Sequence, residues 1–187
     1  MFSEIFTLVL DTVSSLYLML ILLRFMLQLS RADFYNPISQ FIVKATNPLL
    51  IPIRRIIPSM GRIDSASIVL AIVFQLAVIG LKMLVLSGGL ANPVFLIALS
   101  IVMVLDVVLK VYFWSLIIMI VSSWVAPGSN NPALVLINQI VEPLMQPFRK
   151  LLPAMGGLDL SPILVFLVIQ VLEVVLKGLH SQVLALA

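Results

Sequence analysis

Four uninterrupted apolar runs, at about residues 5–29, 65–87, 95–126 and 160–186, constrain this chain more than any other feature. A helix rises about 1.5 Å per residue and the hydrocarbon core of a bilayer is about 30 Å thick, so each run is long enough to cross a membrane. Of the 187 residues, 62% are hydrophobic and 10% charged, against roughly 45–50% and 25% in soluble domains. A water-soluble fold of this size could not hide so much apolar surface. The chain reads as an all-α membrane protein with four transmembrane helices. Its first residues, MFSEIF, place Glu4 and no cation before the apolar run, which argues against a cleaved signal peptide.

Two long connections, 30–64 and 127–159, are copies of one another. Shifting the sequence by 95 positions aligns Asn36-Pro37 with Asn131-Pro132 and Pro48-Leu49 with Pro143-Leu144. The same shift aligns Pro52 with Pro147, Arg54-Arg55 with Arg149-Lys150, Pro58 with Pro153, Met60-Gly61 with Met155-Gly156 and Asp64 with Asp159. The register continues inside the spans, where Asp11, Tyr17, Gln75 and Lys82 match Asp106, Tyr112, Gln170 and Lys177. So many polar, Pro and Gly matches at one offset indicate an internal duplication. Residues 1–91 form the first unit and 92–187 the second. Each unit holds two spans, an even number, so both insert with the same orientation as parallel repeats.

The first long connection carries Arg31, Lys44, Arg54, Arg55 and Arg62, and the second carries Arg149 and Lys150. The short one around Ser87–Pro93 has no charge. The excess of cations therefore places both long loops in the cytoplasm and both termini outside. The same argument accounts for the net charge of +3, since the eleven Lys and Arg are spread along the chain.

The doubled pattern Asn-Pro, Pro-Leu, Pro, Arg-cation, Pro, Met-Gly, Asp between paired spans resembles the YggT family of bacterial inner-membrane proteins, with relatives in cyanobacteria and plastids. The resemblance covers essentially the whole chain. It implies a multi-pass protein of the bacterial inner membrane. Members have been linked to osmotic-stress tolerance, to genes near the cell-division cluster, to nucleoid distribution and to assembly of a chloroplast cytochrome complex. No catalytic residue comes with the family.

Charges within spans cost roughly 2.5–3.5 kcal/mol each and call for partners. Asp11 lies 18 residues before Leu29, and Lys82 lies 18 after Asp64, so both stand about 27 Å from the loop end. The same arithmetic sets Asp106 beside Lys177, which predicts an Asp–Lys pair in each repeat. Tyr17 and Gln75 fall about 17–18 Å from that end, and Tyr112 and Gln170 repeat them, which predicts two hydrogen-bonded pairs. Helical neighbours add local pairs: Lys110 follows Asp106 by four residues, and Lys177 follows Glu173 by four. Arg24, one and a half turns from the loop end, is placed to snorkel to the headgroups.

The loops are unusually apolar. Asn36-Pro37 and Asn47-Pro48 each offer an N-cap followed by proline at the first helical position. Ile38, Phe41, Ile42 and Ala45 share one face; Ile53, Ile56 and Ile57 share another, with Arg54 and Arg55 opposite. Phe148, Leu151 and Leu152 stand likewise against Arg149 and Lys150. Short amphipathic pieces of this kind lie flat in the interface, basic side toward anionic headgroups. The alternative is a re-entrant loop covered by protein. Pro58 and Pro153 end the pieces, Met60-Gly61 and Met155-Gly156 turn the chain, and Asp64 and Ser161 can cap the returning helices. The triplet Asn131-Pro132-Ala133 is that of aquaporins, whose half-helices meet head to head because their repeats are inverted; parallel repeats do not allow it.

Two function classes suit the chain. One is a non-enzymatic scaffold or assembly factor that docks a partner membrane protein or anionic lipid through Arg54, Arg55, Arg149 and Lys150. The other is a small oligomeric channel or transporter using Asp11 and Asp106, which Lys82 and Lys177 would tend to neutralise. An enzyme is not expected. With no Cys and the single histidine His180, the chain lacks a Cys nucleophile, a His pair, a metal cluster and a Gly-x-Ser-x-Gly turn. No cofactor or metal is expected, and the cations are too few and too lacking in interleaved aromatics for nucleic acid.

Overall fold

The computed structural model describes residues 1–151 and 159–185, the Phe2 side chain aside. The turn expected at Pro153, Met155 and Gly156 lies outside these residues, as does Leu152. The described residues form six helices: α1 Phe2–Leu29, α2 Pro37–Ile56, α3 Ser65–Ser87, α4 Pro93–Val125, α5 Pro132–Leu151 and α6 Ser161–Leu184. Helices α1, α3, α4 and α6 are long and apolar enough to cross a membrane. Large apolar side chains on them remain exposed, including Leu8, Ile118, Leu167 and Val174, as expected where the neighbour is lipid.

Three helices start alike. The Oδ1 atoms of Asn36, Asn92 and Asn131 accept hydrogen bonds from the backbone N–H of Ile38, Val94 and Ala133, each at 2.9 Å. The proline after each Asn occupies the first helical position, where its missing N–H costs nothing. Asn47-Pro48 does not act this way: α2 continues through Pro48 and Pro52 as one helix of 20 residues. At the far end of the loop Met60 and Ile63 exchange both backbone hydrogen bonds, with Gly61 at φ 61° inside the turn, a conformation that suits glycine.

Core clusters recur between the repeats. Ile21, Leu50 and Leu70 are buried together in the first. Leu116, Met145 and Val165, each 95 positions on, are buried together in the second. Small residues let the helices approach, among them Ala66, Ser67 and Ala71 on α3 and Ser100 on α4, all fully buried. A third cluster joins the repeats: Met26, Leu27, Ala32 and Ile42 pack on Leu136 and Ile140. There Asn36 Nδ2 donates to the Pro132 carbonyl (2.8 Å), and Asp33 N–H to Gln139 Oε1 (2.9 Å). Both loop helices thus start side by side at one end of the bundle. Helices α1 and α4 run in the same direction, as parallel repeats require.

The loop segments are not short pieces: each is one amphipathic helix of 20 residues. One stripe of α2, Ser39, Ile42, Thr46 and Leu50, is buried against the bundle. Its middle climbs α1 as far as Tyr17, which is 12 residues, or about 18 Å, from the loop end at Leu29. Protein thus covers the inner side of the helix, while its outer side, with Phe41, Lys44 and Arg55, stays exposed.

Candidate functional site

Polar groups gather at two levels of the bundle. At the loop end, Pro48 has no N–H, so the Lys44 carbonyl one turn before it loses its helical partner, and the carbonyls on either side take side-chain donors. Tyr17 Oη donates to the Ala45 carbonyl (3.1 Å) and Arg24 Nη1 to the Val43 carbonyl (3.1 Å). The same Arg24 nitrogen donates to Thr46 Oγ1 and Asn47 Oδ1, each at 2.7 Å. Arg24 is only 5% exposed. It therefore does not snorkel to headgroups; α2 covers it and offers three oxygen acceptors that lipid could not.

Arg54 also turns inward. Its Nη2 lies 2.6 Å from Asp64 Oδ2 and 3.2 Å from Gln28 Oε1, while Ile56 is 83% exposed. Ile53 faces the core and Arg55 the outside as expected; Arg54 and Ile56 exchange places because Asp64, 0% exposed, needs a cation more than the isoleucine needs cover. Asp64 Oδ2 also accepts from Ser67 Oγ at 2.6 Å. In the second repeat Arg149 reaches Glu142 (2.7 Å) and Asp159 (2.9 Å). Asp159 Oδ1 accepts from the Ser161 N–H at 2.9 Å, so Asp159, not Ser161, holds the start of α6. Burial alone would raise the Asp159 carboxyl, but the hydrogen bonds from Ser161 and Arg149 hold it below the ordinary carboxylate value. Burial would lower Arg149, and its bonds to Asp159 and Glu142 hold it above its ordinary value. Of the four predicted docking cations, Arg54 and Arg149 are thus committed within the chain, while Arg55 and Lys150 are exposed.

Toward the opposite end, Lys82 Nζ lies 2.8 Å from Asp11 Oδ1 and 2.9 Å from Oδ2. The structure brings this pair together where depth arithmetic places it. Its counterpart forms differently: Asp106 binds Lys110 at 2.7 Å. The first repeat has Ser15 at the position of Lys110, so only the second repeat offers its aspartate a cation one turn away. Lys177 shares a cavity of about 160 Å³ with Asp106 and His180, but among the described residues neither it nor Glu173 makes an ion pair.

The two tyrosine–glutamine pairs do not form. Tyr17 is taken by Ala45, and Gln75 donates to Met103 Sδ at 3.3 Å. Tyr112 lies in an apolar cluster, and Gln170 is exposed on the outside of α6. Helices α1, α3 and α4 line an open chamber of about 860 Å³ whose walls include Asp11, Gln75, Lys82, Asp106 and Lys110. Sequence reasoning missed Thr46, Glu142 and the counter-ion role of Asp64, and it gave Asn47 as an N-cap where the structure makes it an acceptor for Arg24. A proline in the middle of a helical pattern was the available signal, since its freed carbonyls demand donors nearby.

Comparison with known proteins gives one consistent result. Residues 3–85 and 98–180 each match the family model described as CCB3/YggT. Both limits of the second match stand 95 residues beyond those of the first, the offset of the internal duplication. An uncharacterized protein of Pseudomonas aeruginosa is 55% identical over 166 residues, covering 88% of this chain and 84% of its own length. The Escherichia coli K12 protein YggT, also uncharacterized, is 42% identical over 168 residues, covering 89% and 86%. A Haemophilus influenzae protein is 35% identical over 158 residues, covering 84% and 83%. No solved structure matches the chain.

Proposed function

The chain belongs to the CCB3/YggT family, and from that premise we propose that it is a non-enzymatic accessory protein of the bacterial inner membrane, a scaffold or assembly factor. The loop helices would face the cytoplasm and dock a partner membrane protein beside anionic headgroups, with a role in envelope stress or cell division as the family resemblance implies. One observation carries this reading. Polar bonds from Arg24 and Tyr17 fasten α2 to the bundle, and its outer face is left exposed with Phe41, Lys44, Ile51, Arg55 and Ile56. A ledge that is both apolar and cationic, held by a fixed scaffold, suits docking at a membrane interface.

The test is purification from native membranes in mild detergent, with mass spectrometry, of wild type beside a Lys44→Gln, Arg55→Gln, Lys150→Gln variant. Arg54 and Arg149 are left in place because they hold the fold. A stoichiometric partner present with wild type and lost with the variant supports the reading. Identical partners in both would reject the ledge.

The chamber favours a second reading, a small oligomeric channel or transporter, because charged and amide groups line a space of ligand size. If Asp11→Asn leaves ion and osmolyte flux in liposomes unchanged, that reading loses its support.

A further inference from the structure

The two repeats meet through an interface that has two ends, and one end of it is left open. Helix α3 of the first repeat packs on α4 of the second. On α3 this face carries Gln75 and Ile79; on α4 it carries Leu99, Met103 and Val104. Shifting each residue by 95 positions gives the equivalent faces at the far sides of the molecule. On α6 these are Gln170 and Val174, and on α1 they are Glu4, Leu8 and Val9.

These equivalents are all uncovered. Ile79 is 7% exposed and Val174 is 68%; Val104 is 6% exposed and Val9 is 56%. Gln75 is buried whereas Gln170 is exposed. Helices α1 and α6 make no contact with one another among the described residues. Gln170 lies nine residues, or about 14 Å, into α6, near the bilayer centre, where a lipid-facing amide lacks any partner. On the same side Lys177 is exposed and makes no ion pair among the described residues, while the α1 face presents the apolar Leu8 and Val9 and Glu4, whose carboxylate is paired with the N-terminal ammonium at 3.1 Å. One face thus supplies an amide and a cation that lipid does not satisfy, and the other apolar cover.

We infer that α6 of one copy packs on α1 of a second copy, repeating the α3–α4 contact between chains. The inference is independent of the docking role of α2 and α5. Such a contact is head-to-tail, and parallel repeats related by an axis along the membrane normal keep every copy at one depth. Repetition by rotation about that axis keeps the assembly in the membrane plane and closes a ring when a whole number of copies completes the turn.

The chain has no cysteine, so engineered pairs report contacts cleanly. Leu8 and Gln170 are the equivalents of Met103 and Gln75, whose side chains touch at 3.3 Å. The full chain carrying both Leu8→Cys and Gln170→Cys, oxidised in its expressing membranes, is expected to form a ladder of disulfide-linked copies with a fixed upper limit. Each single variant is expected to stay monomeric, and the two singles co-expressed to give a dimer and nothing larger. A Gln75→Cys, Met103→Cys chain, expected to close within itself, shows that the oxidant reaches this depth. Monomer alone from the Leu8, Gln170 pair while that control closes overturns the inference, as does a dimer from Gln170→Cys by itself. As a check free of cysteines, native mass spectrometry of the wild type is expected to show a multimer, with Val174→Trp weakening assembly at least tenfold; a wild-type monomer overturns it.

Discussion

Asp64→Asn isolates the loop-end ion cluster, and the second repeat supplies its control. Asp64 is fully buried and accepts from both Arg54 and Ser67 through one oxygen. Two guanidiniums, Arg24 and Arg54, share it as their nearby counter-charge. Neutralising one partner of a buried pair strands the other, at a cost of about 3–5 kcal/mol. At about 2–4 °C per kcal/mol for a chain of this size, the thermal midpoint in detergent should fall by roughly 6–20 °C. Asp159→Asn removes the equivalent carboxylate, but that group is 38% exposed and Arg149 keeps Glu142. Its cost should stay below about 1 kcal/mol. The assay is thermal unfolding in micelles followed by far-ultraviolet circular dichroism. Combining Asp64→Asn with Arg54→Met should recover part of the loss, because the stranded cation is then gone. Equal shifts for Asp64→Asn and Asp159→Asn, or a shift below about 2 °C for the former, would refute the reasoning.

Tyr17→Phe should cost about 0.6–1 kcal/mol by leaving the Ala45 carbonyl at the Pro48 bend without its donor. Tyr112→Phe should be neutral in the same unfolding assay, since Tyr112 makes no hydrogen bond among the described residues. Asp159 is held below its ordinary value, so its contribution is complete above the unfolded value of about 3.9 and disappears as pH falls through the lower folded value. A midpoint-against-pH curve should therefore steepen below about pH 4, and Asp159→Asn should flatten that limb.

The spans and the duplication were legible because length, hydropathy and a fixed offset are properties of the chain alone. So was the level of Asp11 and Lys82, which depends only on helical rise. Of the two partners the sequence offers Asp106, Lys110 one turn away on the same helix takes it and Lys177 on another helix does not. Arg24 was misread. Snorkelling assumes lipid as the neighbour, and nothing in α1 itself reveals that α2 climbs beside it. Tyr17 and Gln75 stand at matching depths, yet each found a nearer group, the Ala45 carbonyl and the Met103 sulfur. Depth gives a residue's level in the membrane but not its bearing around the helix axis.

The two loop-end clusters have drifted to opposite signs. The first sets two guanidiniums, Arg24 and Arg54, against the single carboxylate of Asp64; the second sets Arg149 against Glu142 and Asp159. The substitutions responsible are Met119 where the first repeat has Arg24, and Glu142 where it has Asn47. A chain assembled from two first halves would bury surplus positive charge twice over, and one from two second halves would concentrate surplus negative charge. The duplicated halves are thus no longer interchangeable parts: each offsets the other's imbalance, and the membrane plane carries a built-in polarity running from one repeat to the next.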